Sequence, residues 1–460
     1  MTIEDSALVD SERPAVRNEA WDHCRICRRQ ARSGRSSAMS INAARQRRDF
    51  RAAARSNSTV DYNMQMLLNA SRRDFLRKTA LGSSLLALGG CSLRTTSNPQ
   101  ESRRRSWARR FTDLEKQILD SAAKHRVPGV SLAVVKDALV VWSRGLGVQD
   151  QASNIPVNDG SVFEAASMSK PVFAYAAMKM RERGVINLDT PLSAYTPERF
   201  LNGDPRLDLI TARHVLSHTS GFPDIRSREQ PLSIQFKPGE KWQYSGEGYA
   251  YLQSVTTRLT GHVLTSPCGT YELDLDVCGT DFDSYMKANV LQPLGMGSSG
   301  YVWHDGLAKN LARPHDERGR PLAIHKYTSA DAARYGSMGG LLTTATDYAR
   351  FLIAVMDPRP ADAFRLKEAS IGEMLTPQVK VEDGPGYSIS WALGWKVAKT
   401  VDFGVLISHG GDQSGFHSLA EMSPIRKSGY VILTNGENGW KLIQELAPEF
   451  ARRVHATPPG

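Results

Sequence analysis

Apolar residues recur in different rhythms along the 460-residue chain, and the rhythms divide it. Residues 1–63 show no sustained apolar periodicity, are rich in Arg and Ser, and offer no core, so they are expected to be disordered. From Phe111 to His125, Leu114, Ile118, Leu119 and Ala122 repeat at helical spacing until Val127-Pro128-Gly129 stops the pattern. An unbroken apolar run, Val130 to Val135, then predicts a buried strand, with a turn at Lys136-Asp137 and a returning strand from Ala138 to Trp142. The run from Val172 to Met178 predicts a core helix, as do Ala250, Leu252 and Val255 and the segment Asp347 to Val355. Near the end, an apolar strand from Val405 runs into His409-Gly410-Gly411, and Gly415 to Ala420 and Tyr430 to Thr434 predict two more. Trp440 to Val454 reads as a closing helix. This order predicts a mixed α/β (α+β) chain whose two ends pack on one antiparallel sheet.

The formal net charge of +10 changes little once it is located. Residues 1–110 hold 22 Lys and Arg against 10 Asp and Glu, whereas residues 111–460 hold 36 against 38. The basic character belongs to the head, so no nucleic-acid partner is expected for the folded body. Within the head, Cys24-x-x-Cys27 lacks a second Cys pair and a folded context, and no metal is assigned to it. Ser71-Arg72-Arg73-Asp74-Phe75-Leu76 looks like a twin-arginine export signal, followed by a short apolar run from Ala80 to Gly90. That run ends in Leu88-Gly89-Gly90-Cys91, which resembles a lipoprotein cleavage box. It is too short to span a bilayer, and Gly82, Gly89 and Gly90 argue against a buried helix. Four segments are therefore expected: 1–65 as a disordered or over-extended leader, 66–91 as the signal, 92–106 as a tether, and 107–455 as the folded domain. Translation would then start at Met64 or Met66, and Cys91 would carry a lipid that anchors the exported, periplasmic protein to a membrane.

Candidate chemistry centres on Ser167-Met168-Ser169-Lys170. A hydroxyl and an amine three residues apart share one helical face, so Lys170 can reach the Ser167 oxygen. Pro171 fits only a helix's first turn, which places Ser167 at the positive end of the helix dipole. The same spacing occurs at Ser121/Lys124 and Ser284/Lys287, but in polar amphipathic segments that read as solvated surface. Tyr244, in a Gly/Ser turn before an apolar helix, could carry a proton beside an ammonium. His214 and His218 lie at i, i+4, yet no Glu or Asp completes a zinc set nearby, so they are read as structural. Cys268 and Cys278 bracket a short polar segment and could close a small disulfide loop in an oxidising compartment.

Ser167-Met168-Ser169-Lys170, Tyr244-Ser245-Gly246 and His409-Gly410-Gly411, in that order, resemble the serine hydrolases related to class C β-lactamases, DD-peptidases and esterases. Leu216-Ser217-His218-Thr219-Ser220-Gly221, Pro293-Leu294-Gly295-Met296 and Gly339-Gly340-Leu341 extend the likeness over about residues 110–440. The resemblance implies an antiparallel sheet flanked by helices, a mostly helical second region, and a site between them. It implies Ser167 as the acylated nucleophile and Lys170 with Tyr244 as one proton-transfer unit. The backbone N–H groups of Ser167 and Asp412 correspond to the oxyanion hole, and His409, Gly410, Gly411 and Gly246 to the substrate-binding edge. Two departures stand out: Gly246 replaces a frequent Asn, and His409 replaces a frequent Lys. The first removes an amide that would hold the substrate's acyl group and the second a positive charge suited to a β-lactam carboxylate, so a peptidase or esterase acting on a small peptide or ester is favoured over a β-lactamase. No cofactor or metal is implied. The alternative is a peptidoglycan-peptide binding module that keeps the cleft without turnover; an α/β-hydrolase is disfavoured because no Gly-x-Ser-x-Gly elbow occurs.

Overall fold

Strand β1 (Gly129–Lys136) is buried at every position. Its side chains alternate between two cores, which is why its sequence shows no polar face. The computed structural model describes residues 99–196, 200–226, 230–261, 275–359 and 363–455. Cys24, Cys27, Cys91 and Cys268, with the leader and signal segments, lie outside the described residues.

The chain opens with helices α1 (Pro99–Thr112) and α2 (Leu114–His125), so the expected single helix is broken at Asp113 and the segment expected as a tether is helical from Pro99. After β1 come β2 (Leu139–Asp150), β3 (Ile155–Pro156), β4 (Phe163–Glu164) and helix α3 (Ser169–Glu182). A largely helical middle follows: α4 (Ala212–Leu216), α5 (Gly246–Thr260), α6 (Leu275–Met286), α7 (Asp305–Ala308) and α8 (Ser329–Tyr335). Strand β5 (Leu342–Thr343), α9 (Ala345–Met356) and α10 (Glu368–Leu375) lead back to the sheet. The chain ends with β6 (Val379–Gly384), β7 (Tyr387–Trp391), β8 (Lys396–Thr400), β9 (Gly404–Gln413), β10 (Phe416–Ser423), β11 (Ser428–Thr434) and α11 (Gly439–His455).

Nine strands form one antiparallel sheet in the order β3-β2-β1-β11-β10-β9-β8-β7-β6, and β4 pairs with β5 separately. The first and last long strands are neighbours, β1 against β11, with Leu132 opposite Ile432. On one face Val130, Leu132, Val134 and Ile432 pack with Phe111, Ile118, Leu446 and Phe450 from the terminal helices. Both ends of the chain therefore cover one side of the sheet, as the order of elements predicted. On the other face Ala133, Val135, Val431 and Leu433 join a larger core with α3, α5 and α9. The α/β (α+β) class with a helical second region is confirmed. Helix α9 starts two residues before Asp347, because Thr344 caps it by accepting from the Asp347 N–H at 3.1 Å. Cys278 is buried and disulfide-bonded. Among the described residues no helix is long and apolar enough to cross a membrane.

Candidate active site

The site begins with a turn that the backbone alone would not favour. Ala166–Met168 form a 3-10 turn ahead of α3, and Ala166 has φ 48°, in the left-handed region. A non-glycine residue there costs about 1–3 kcal/mol, and persists only where its surroundings over-determine it. They do so here. Ser418 Oγ donates to the Ala165 carbonyl at 3.0 Å, and the Ala165 N–H donates to Leu341 O at 2.8 Å. Ser169 Oγ donates to Ala166 O at 2.7 Å and accepts from Leu341 N–H at 2.9 Å. Tyr348 OH donates to Met168 O at 2.9 Å. Within Ser161–Lys170 only Ser167 is more than marginally exposed, so the pinned turn presents one hydroxyl to the cleft.

Lys170, 2% exposed, follows in the first turn of α3. Its Nζ donates to Ser167 Oγ at 3.1 Å and to the Met338 carbonyl at 2.7 Å. Burial pushes this amine down to about 7, against an opposing pull from Asp224. A neutral amine can keep one N–H on the Met338 carbonyl, and its lone pair is then available to take the Ser167 proton. Tyr244 comes from the other side, from the loop that enters α5, where Ser245 caps the helix by accepting from Gly248 N–H at 2.9 Å. The Tyr244 hydroxyl is hydrogen-bonded to Ser167, and its ring centroid lies 4.7 Å from Lys170 Nζ. Burial drives the phenol's pKa up, so of the two partners the amine is the one that titrates near neutrality.

The third wall is β9. The strand does not end at His409-Gly410-Gly411 as its glycines suggested; it runs on to Gln413. Its pairing with β8 stops at Ser408 opposite Lys396, while its pairing with β10 continues to Gln413. One edge of residues 409–413 is thus released from β8, and β9 packs against the Ala166–Met168 turn. Gly411 permits this approach: a Cβ there would lie under 3.0 Å from both Ala165 O and Ser418 Oγ. Next to it, the exposed Asp412 carboxylate sits 3.1 Å from Nδ1 of the buried His417.

His409 is 4% exposed, and its Nδ1 lies 2.7 Å from Gly410 O. A carbonyl only accepts, so the proton is on Nδ1 and Nε2 is left as an acceptor. Burial, reinforced by Lys170, lowers its pKa to about 3. The ring is therefore neutral at physiological pH, and supplies no positive charge where the resemblance would have placed a lysine. Gly246 sits at the start of α5, its N–H donating to Asp224 Oδ1 at 3.0 Å.

The fold thus brings Ser167, Lys170, Tyr244, His409 and Gly411 around one cleft. It also places there residues the sequence reading missed. His218 and His214 do not share a helix face, because α4 ends at Leu216 and His218 takes a left-handed φ of 57°. His214 turns back to α4's first turn, where its Nδ1 accepts from Thr211 N–H at 3.3 Å. His218 is fully buried beneath Tyr244, with ring centroids 4.2 Å apart, and its Nδ1 accepts from Ser245 N–H at 3.0 Å. Trp391 flanks His218, Tyr244 and His409 at centroid distances of 5.0, 5.8 and 5.6 Å. Glu164, three residues before the serine, is buried and accepts from Tyr327 OH and Gln413 Nε2, each at 2.7 Å. That carboxyl ties the strand before Ser167 to the residue after Asp412. Among the described residues no group of three His, Cys, Asp or Glu side chains could hold a metal ion.

A family model described as Beta-lactamase matches residues 109–447. Protein flp of Staphylococcus aureus (strain MRSA252) is 22% identical over 361 residues, covering 73% of this chain and 66% of its own length. Penicillin-binding protein 4* of Bacillus subtilis (strain 168) is 22% identical over 359 residues, covering 70% of this chain and 71% of its own. Among solved structures, an octameric penicillin-binding protein homologue from Pyrococcus abyssi superposes with TM-score 0.59 at 22% identity, covering 74% of this chain and 77% of that one. The D-alanine carboxypeptidase AmpC from Burkholderia cenocepacia has TM-score 0.57 at 20% identity, covering 76% and 99%. The fold is the β-lactamase/transpeptidase fold, and the chain belongs to the Beta-lactamase family.

Proposed function

We propose that the protein is a serine hydrolase that cleaves an amide or ester through an acyl-enzyme, as a peptidase or esterase rather than a β-lactamase. The observation that carries this reading is the buried Lys170 amine 3.1 Å from Ser167 Oγ, with Tyr244 on the same oxygen. The neutral amine takes the Ser167 proton as Oγ bonds to the substrate carbonyl carbon. The carbonyl oxygen becomes an oxyanion facing the backbone N–H groups of Ser167 and Asp412, at the positive end of α3. Collapse expels an amine or alcohol that leaves with a proton returned through Lys170 and Tyr244. Water then attacks the acyl group by the same route and frees Ser167.

The preference against β-lactams rests on the neutral His409 and the missing side chain at Gly246. The penicillin-binding and carboxypeptidase names of the relatives agree with acyl-transfer chemistry on peptides. Turnover of nitrocefin, a short-chain p-nitrophenyl ester and a D-Ala-D-Ala peptide tests the assignment. The reading predicts hydrolysis of the ester or peptide well above that of nitrocefin; efficient nitrocefin hydrolysis contradicts it.

For location, the twin-arginine stretch and Cys91 support export and lipid anchoring in the periplasm. Metabolic labelling with a fatty-acid probe, lost in Cys91→Ser, tests this. An unlabelled wild-type chain refutes it.

A further inference from the structure

Asp224 sits where the cleft lacks a side chain. A Cβ on Gly246 would lie 3.0 Å from Met338 Sδ and 3.2 Å from both the carbonyl oxygen and Oδ1 of Asp224. The corner into which residue 246 would project is therefore bounded by Met338 and the Asp224 carboxylate. It adjoins the nucleophile, since the Met338 carbonyl holds the Lys170 amine at 2.7 Å. Two hydrogen bonds fix Asp224 there: Gly246 N–H to Oδ1 at 3.0 Å and Glu247 N–H to the backbone oxygen at 2.9 Å. The residue is nevertheless exposed, so acceptor capacity remains on the carboxylate for a ligand.

An amide at this corner would donate an N–H to a substrate's carbonyl oxygen. A carboxylate can only accept, and it carries a negative charge. Of the cationic groups near it, Arg226 pairs with Glu247 at 3.2 Å, and the buried Lys170 Nζ is held by Ser167 Oγ and the Met338 carbonyl. We propose that Asp224 makes the site select acyl donors with a free ammonium beside the reacting carbonyl, such as unblocked amino-acid amides or esters, over the same compounds N-acylated. This inference rests on the acyl-enzyme reading above. Asp224 binds the ammonium, and the reacting carbonyl is then held against Ser167 from the acyl side.

The test compares kcat/KM for alanine p-nitroanilide with a free amine and for its N-acetyl derivative, in both enantiomers. In the wild-type chain the free amine is expected to win by about tenfold to a hundredfold in at least one enantiomeric series, the range of a hydrogen bond to a charged group. Asp224→Asn keeps an oxygen for the Gly246 N–H but removes the charge, and should bring the ratio close to one; a thermal melt establishes that the variant is folded. A second readout needs no variant. The ratio should fall as pH rises through the substrate amine's own pKa, near ~8, because titration of Lys170 acts on both substrates alike and cancels. A wild-type ratio at or below one in both enantiomers, or a ratio unmoved by Asp224→Asn and by pH, overturns the role of Asp224. A fluorophosphonate probe keeps the two claims apart. If Ser167 is labelled while the ratio fails, only this inference falls; if Ser167 is unlabelled, the acyl-enzyme reading itself falls.

Discussion

Gly411→Ala is the smallest change that should separate the cleft's two halves. The new methyl would lie under 3.0 Å from the Ala165 carbonyl oxygen and from Ser418 Oγ, where ordinary contact is 3.4–4 Å. Neither neighbour can yield cheaply. Ala165 O is backbone in the pinned turn, and Ser418, fully buried, donates to that oxygen at 3.0 Å. Strand β9 must therefore retreat from the turn by about 1 Å, a displacement that can cost ~10²-fold in rate. The Asp412 N–H, the oxyanion donor of the proposed mechanism, moves with it, and loss of one such donor costs about 10²–10³-fold, or ~3–4 kcal/mol. Overpacking adds about 1–3 kcal/mol of destabilisation. The assay is the second-order rate of fluorophosphonate labelling, alongside a thermal melt. A folded Gly411→Ala chain that labels within threefold of wild type would refute the close approach of β9 as a requirement for acylation.

Two further outcomes follow from groups whose pKa values burial shifts. Lys170 at about 7 against 10.5 unfolded predicts that the labelling rate climbs as pH rises through about 7, then levels. Between those values the unfolded chain binds the extra proton, so stability also rises with pH there, and Lys170→Met should be more stable at pH 7 while losing labelling; a flat rate profile from pH 5 to 9 counts against the amine as base. Glu164, raised to about 7 from 4.5, works in the opposite sense. There the folded chain holds the extra proton, so stability falls as pH rises from about 4.5 to 7, by an amount on the order of 3 kcal/mol at most. Urea unfolding at pH 5 and pH 8 should show Glu164→Gln flattening that difference; an unchanged difference shows that Glu164 is not its source.

Local features were the legible ones. Ser167 and Lys170 are three residues apart, so their contact follows from helical spacing alone, and Pro171 marks the turn. The unbroken apolar runs of β1 and β11 announced the sheet's centre because both faces are covered. Tyr244 could be paired with Ser167 only through the resemblance to known hydrolases, because 76 intervening positions separate the two and no local pattern links them. The β6–β8 meander was missed for a different reason: its strands are short, with mixed and partly exposed positions, so alternation is weak. Asp224, His218 and the Glu164–Tyr327–Gln413 cluster carried no signal of their own type. Each gains its role from a partner supplied by tertiary packing, such as the Gly246 N–H for Asp224 or the Tyr244 ring for His218. The His pair was read as structural, and its i, i+4 spacing does not give one helix face, because α4 stops between the two residues.

The central claim is that one hydroxyl is made reactive by an amine in the first turn of the helix that follows it and a phenol from a distant loop. Intact mass spectrometry after incubation with a fluorophosphonate, followed by peptide mapping, tests it most directly. The prediction is a single covalent adduct on the peptide carrying Ser167, absent from Ser167→Ala and strongly slowed in Lys170→Ala and Tyr244→Phe. An adduct on another residue, or labelling of Ser167→Ala at the wild-type rate, would contradict the account.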